Sequence, residues 1–379
     1  MIFRIVLLIG MLCPAFLWAQ DETPEEKLVF TGDFRFRVEH DWNSMRPDGS
    51  FRADRSRLRY RLRFGFKYQL SPEASFGARV RTGRLDDQQG PHLTLGGNSG
   101  EFSIIEVGFE KAYFKWKKDW FEGWVGKNDF HFHKINELFW NDNVFPEGIA
   151  LTFKLPCFSK QLTDLQIRAG HFIVNSQGTG FENDRYFQGL QLHGRLWGKR
   201  VTLFPGFYYF NQMANIPDGQ GSYNIDYSIL HLGAQVQLLK KPKLTLGLEY
   251  YRNLQDLSQN DSISTNRASQ VQGEVLTLRL GELKTKGQWQ ATLYLARIEQ
   301  FAIVDYFAQN DWARWDYSSF GAAGSRLSNF QGFEFRLGHA FAKNANLILR
   351  VYSVEELFTK TVMRKETGDR ARIDLNVKL

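Results

Sequence analysis

Arg57, Arg59, Arg61 and Arg63 stand at alternate positions in the run Arg57–Phe66. A guanidinium keeps its charge at any physiological pH and presents a planar fork of donors that fits carboxylates and phosphates. A row of them attracts anions and can hand them along a surface. Between them stand Leu58, Tyr60 and Leu62, followed by Phe64 and Phe66. Only an extended strand puts the two sets on opposite faces, because its side chains alternate while a helix would scatter both around its axis. The same pairing recurs at Arg35 and Arg37, Arg79 and Arg81, Arg336, Arg350, and Arg370 and Arg372. In a soluble sheet the apolar face points inward. In a membrane barrel it faces lipid, and the arginines line a wet interior.

A second group of charges sits in the apolar stretch from His131 to Gly148, which holds Glu137, Asp142 and Glu147. That stretch is too apolar for a freely solvated loop. Folded into a barrel, it would narrow the interior, and its three acids would face the arginines across a gap. The resulting transverse field favours small polar or charged solutes. The alternatives are a cap outside the barrel or a contact with another subunit. Catalysis and metal binding have less support. His131 and His133 share a face if extended, with Glu137 near, but two histidines without a defined third ligand are more often ordinary loop residues. Asp142 with Asn141, Asn143 and Glu147 does not match a calcium loop. No nucleophile elbow, Walker loop or dinucleotide fingerprint is present, so no catalytic, cofactor or metal residue is assigned.

The elements that must hold these side chains follow from the whole chain. Residues 1–19 combine Arg4 with an almost wholly apolar run from Ile5 to Trp18, the pattern of a signal peptide cut after Ala19. The run is shorter than the roughly 20 residues a spanning helix needs. Without it the chain has 47 Lys and Arg against 41 Asp and Glu, and Cys157 is its only cysteine, so no internal disulfide is available. The mean hydropathy of −0.39 excludes a helical membrane protein. A two-faced barrel escapes that test, because alternation averages its hydropathy. The 33 Phe, 14 Tyr and 10 Trp suit such a barrel's lipid face and aromatic girdles. The positive balance of an exported chain whose arginines are dispersed along strands, without a recognition module, gives no nucleic-acid partner.

Alternation and turn signals predict about sixteen strands over residues 20–379. Eight long connections alternate with seven short ones, the rhythm of a transmembrane up-and-down antiparallel β-barrel with long extracellular loops and short periplasmic turns. Closure would bring the last strands beside the first and join Arg336, Arg350, Arg370 and Arg372 to the same basic arc. Asp33, Glu39, Glu106 and Glu110 are the expected partners of part of it.

Leu58–Phe66, Ala78-Arg79 to Thr82-Gly83, Lys111-Ala112-Tyr113-Phe114, Gly126-Lys127-Asn128, Trp140-Asn141-Asp142 with Pro146-Glu147-Gly148, and the alternating C-terminal strand together resemble the Putative porin family of Gram-negative outer membranes. Alginate-export barrels share an Arg-rich early strand and are a close second. The resemblance implies an outer-membrane channel without enzymatic activity or cofactor, in contact with outer-membrane lipid and often assembled as a homotrimer. Together with the basic arc it leads to the expectation of passive diffusion of small hydrophilic, anionic solutes. The alternatives are a dedicated channel for an anionic polysaccharide or oligosaccharide, and an outer-membrane hydrolase.

Overall fold

The computed structural model describes residues 27–97, 102, 104–178, 180–214, 223–308, 310–312, 328–359 and 364–379. The expected signal peptide, residues 1–19, lies outside the described residues. The strands are β1 (Leu28–Trp42), β2 (Arg55–Gln69), β3 (Ala74–Thr82), β4 (Val107–Lys117), β5 (Phe121–Lys127), β6 (Glu147–Lys154), β7 (Leu162–Asn175) and β8 (Arg185–Leu196). They continue as β9 (Val201–Leu203 and Gly206–Ala214), β10 (Asn224–Lys240), β11 (Lys243–Asn253), β12 (Gln272–Gly281), β13 (Trp289–Ile298), β14 (Phe330–Ala342), β15 (Ala345–Glu356) and β16 (Thr367–Lys378). Each pairs antiparallel with its neighbours in the chain. β1 also pairs with β16, from Asp33 opposite Lys378 to Trp42 opposite Asp369, and this closes the barrel. Closure pairs the first strand with the last, so that neither offers its whole ladder edge to lipid, which could not satisfy it.

The sixteen expected strands are thus present, with their boundaries moved by a few residues. Leu93–Thr94 adds a short pairing of the second long loop onto β2. The ninth strand, apolar on both faces in the sequence, is interrupted at Phe204-Pro205, and both pieces lie between β8 and β10. Proline has no N–H to give the ladder, so the break falls there. Beyond it Phe207 points outward and Tyr208 and Phe210 inward.

Register decides which face of the opening run is inside. On β1 and β2, Phe34 lies opposite Leu62 and Val38 opposite Leu58, while Arg37 lies opposite Arg59 and Arg35 opposite Arg61. Leu62 is 51% exposed on the outer surface, whereas Arg61 beside it is 6% exposed. The apolar face is the outer face. Directly opposed like charges repel, so the inward arginines require interleaved carboxylates. An arginine on the outer face at mid-strand meets hydrocarbon instead. Leu62→Arg is therefore expected to destabilise the barrel by about 2–4 kcal/mol, as measured by urea unfolding in lipid vesicles.

Candidate functional site in the barrel lumen

All twelve arginines expected on the wall point inward from β1–β3 and β14–β16, and carboxylates gather them into groups. Asp374 holds Arg37 at 2.6 Å and lies 3.7 Å from Arg350 and 3.6 Å from Arg372. Glu39 pairs with Arg57 and lies 3.7 Å from Arg59. Glu110 of β4 binds Arg63 and Arg79, each at 2.6 Å, with Arg81 at 4.0 Å. Asp33 pairs with Arg61, Glu334 with Arg336, and Asp41 with Arg370 at 2.5 Å. Arg35 donates to Asn376 at 2.6 Å. Glu106 takes no part as an inward acid, because it precedes β4 and is exposed at the barrel mouth.

The wall is uneven in access. The side chains of Arg57, Arg59, Arg79 and Arg336 are each about 20% exposed, but those of Arg61, Arg63, Arg370 and Arg372 are nearly covered. Some of these arginines position loops. Arg81 donates to the carbonyls of Thr82, Arg84 and Asp87, and Arg59 to that of His92.

The third long loop, residues 128–146, folds into the barrel. Phe132, Leu138, Phe139, Trp140 and Val144 are buried against inward residues of β7 to β11, among them Phe172, Phe187, Tyr208 and Tyr251. Two inward glycines give it room, since a Cβ on Gly189 would overlap the Phe132 ring and one on Gly247 would overlap Ile135. Asn136 donates to Glu249 of β11, which also accepts from Tyr251 at 3.0 Å. His131 donates to the Leu151 carbonyl at 2.9 Å, and the His133 ring packs 4.9 Å from that of His193. Among the described residues, no three His, Cys, Asp or Glu side chains gather in a metal-holding arrangement.

The three loop acids separate. Glu137 faces the wall, 3.9 Å from Arg336. Asp142 pairs with Lys134 of its own loop. Glu147 is corrected. As the first residue of β6 it shares the outward parity of Ile149 and pairs with Lys127 at 2.5 Å on the outer face, so it cannot face the arginines.

Burial raises the Glu137 carboxyl, but the Arg336 and Arg350 guanidiniums more than reverse this and hold it at about 2. Asp142 is open to the lumen, and desolvation by the enclosing walls raises it, with the neighbouring Glu137 charge adding to the rise while Lys134 opposes it. On acidification Asp142 therefore loses its charge first, and Glu137 stays ionised until about pH 2. Removing one negative charge from the lumen strengthens its positive field. Anion preference is expected to rise as pH falls through the carboxylate range, and Asp142→Asn should remove that rise. Reversal potentials at pH 7 and pH 4 check both.

Sequence reasoning missed a second inward loop. After β13, Phe301, Ile303, Val304, Phe307 and Trp312 are buried in the same cluster. Phe307 stacks on Trp140 at 5.0 Å, its carbonyl accepts from the Asn141 N–H at 2.8 Å, and Gln89 donates to the carbonyls of Tyr306 and Ala308. Asp311 reaches Arg372 at 2.5 Å and Arg370 at 3.1 Å. The available signal was the apolar run Phe301-Ala302-Ile303-Val304, which is as unsuited to a solvated loop as the third.

Sixteen antiparallel strands closed on themselves, apolar outside and arginine-lined inside, with loops folded into the lumen, define a porin-type channel of the Gram-negative outer membrane. Residues 34–220 match the family model described as Putative porin. The fold is also that of solved porins. OprB of Pseudomonas putida aligns at 11% identity with a TM-score of 0.56, covering 93% of this chain and 94% of that one. A mutant of Rh. blastica porin aligns at 11% identity and TM-score 0.53 over 93% of this chain and 100% of its own. OmpF of Salmonella typhi, solved with daunomycin, aligns at 12% identity and TM-score 0.53, covering 93% and 97%. No curated protein matches the chain in sequence. The fold and the matched family model are those of a channel rather than an enzyme.

Proposed function

We propose that the barrel passes small hydrophilic anions by passive diffusion along the strip of lumen between its arginine wall and the two inward loops. One observation carries the reading. The twelve wall arginines outnumber the inward carboxylates Asp33, Glu39, Asp41, Glu334, Glu356 and Asp374 of the same strands taken together with Glu110, Glu137 and Asp311, which also face them. The surplus attracts anions, and Arg57, Arg59, Arg79 and Arg336 are the wall guanidiniums most open to the lumen. Two loops inside the lumen favour small solutes over a polysaccharide chain. Export with cleavage after Ala19 and assembly as a homotrimer belong to the same proposal. N-terminal sequencing and mass measurement in detergent test them.

Tracer flux through proteoliposomes tests the function itself. Lactate is expected to pass faster than tetramethylammonium. No flux of either ion would end the channel reading, and faster tetramethylammonium would end the anion preference. The double variant Arg59→Gln and Arg79→Gln is expected to move the reversal potential toward cations with the barrel still folded, since Arg57 still pairs with Glu39 and Arg63 with Glu110. Arg61→Glu serves this purpose poorly, because it would set a second buried carboxylate beside Asp33.

A further inference from the structure

The Asp311–Trp312 pair of the second inward loop fills a socket whose lining does not match a simple loop anchor. The Asp311 carboxylate sits between Arg372 and Arg370, whose side chains are 2% and 5% exposed. The Trp312 ring, 3% exposed, lies 5.6 Å from Phe330 and 6.3 Å from Tyr352, and its Nε1 donates to Glu334 at 3.3 Å. The Arg372 guanidinium lies over the Tyr352 ring at 5.4 Å.

Asp311, together with Asp41 on Arg370 and Asp374 3.6 Å from Arg372, does not satisfy this donor set. Among the described residues, Arg370 Nη2, Arg372 Nε, Arg350 Nε and Nη1 and the Tyr352 hydroxyl are buried without a hydrogen-bond partner. Buried donors left unmade are costly, and their convergence beside an aromatic wall is the arrangement of a binding site. A cavity of about 10 Å³ remains beside the pair, against Leu138, Tyr294 and Arg336, so the two side chains nearly fill the socket.

We propose that this socket binds aromatic carboxylates and that Asp311 and Trp312 occupy it as an internal stand-in, carboxylate on the arginines and ring on the aromatic wall. The inference names a solute class for the proposed lumen and rests on that reading. Exchanging one carboxylate for another keeps the ion balance. A neutral aromatic molecule would leave Arg372 only the more distant Asp374 while Arg370 kept Asp41, and a short aliphatic acid would leave the ring space empty. The tethered pair competes at high effective concentration, so it lowers the apparent affinity for any free ligand.

Calorimetric titration of the detergent-folded full chain tests this without requiring conduction, with indole-3-acetate, acetate and 3-methylindole as probes. The double variant Asp311→Ala and Trp312→Ala is expected to bind indole-3-acetate about tenfold or more tighter than the native chain. Acetate and 3-methylindole should each bind at least about tenfold weaker than indole-3-acetate. Adding Arg372→Lys, which loses the fork, should reverse the gain. Equal affinity for acetate and indole-3-acetate, or no gain in the double variant, overturns the proposal. Should the double variant fail the heat-shift test of folding, Asp311→Asn alone decides, with a gain expected and its absence overturning. Bilayer conductance is measured separately. A folded chain that binds but does not conduct ends the channel reading and leaves the site, while one that conducts without binding does the reverse.

Discussion

Glu110→Gln is expected to destabilise the barrel by about 3–5 kcal/mol, the cost of leaving a buried charge group without its counter-ion. Glu110 is 2% exposed and is the shared partner of Arg63 and Arg79, with Arg81 close by. Phe145 lies against the guanidiniums of Arg63 and Arg79, at 6.0 and 5.2 Å, so little water can take the place of the carboxylate. Glutamine keeps the shape and loses the charge, leaving three guanidiniums at one corner of β2, β3 and β4. Glu282→Gln is the contrast. It removes a half-exposed pair with Lys243, 2.9 Å away at a short turn, and a solvent-screened pair contributes less than about 1 kcal/mol. Urea unfolding of both variants in lipid vesicles separates the two cases. A loss below about 1 kcal/mol for Glu110→Gln would mean that the arginine wall does not need its acids.

The second large effect concerns the third long loop. Replacing Ile135, Leu138, Phe139 and Trp140 together by Gly and Ser is expected to raise single-channel conductance at least about twofold and to add current noise, since conduction follows the open section of the lumen. Leu138, Phe139 and Trp140 are 2%, 5% and 2% exposed, and each such burial contributes about 1.5–3 kcal/mol to docking. Phe139 stacks on Tyr251 at 5.1 Å and Trp140 on Phe187 at 5.3 Å, so the loop is fixed to the wall across the lumen from the arginines. Conductance unchanged in a variant that keeps its heat-shifted mobility would place the narrowest point elsewhere.

Period-two alternation made the barrel legible, because lipid and lumen each require a constant face over a dozen residues. Leu58, Leu62 and Phe64 against Arg59, Arg61 and Arg63 are enough to orient β2 once the connection rhythm implies a barrel. Boundaries were less legible, since a strand such as β10 runs past the apolar belt to Asn224 with no change in the alternation that marks it. Phe204-Pro205 hid the parity of β9, because its aromatic residues serve lipid on one face and the loop cluster on the other. The arginines were legible as a set but not in their division. Whether Arg61 is covered and Arg59 accessible depends on Asp33, Glu39 and the loop carbonyl of His92, contacts distant in sequence. Glu147 was misplaced because only the start of β6 fixes its outward parity. Asp311 and Trp312 carried no local signal, since their partners lie on β14, β15 and β16.

A water-filled channel whose field favours anions is tested by its reversal potential in planar bilayers under asymmetric KCl. Ohmic current is expected, with a reversal potential on the chloride side of zero. A folded barrel that leaves the bilayer sealed, or a reversal potential on the potassium side, would contradict it.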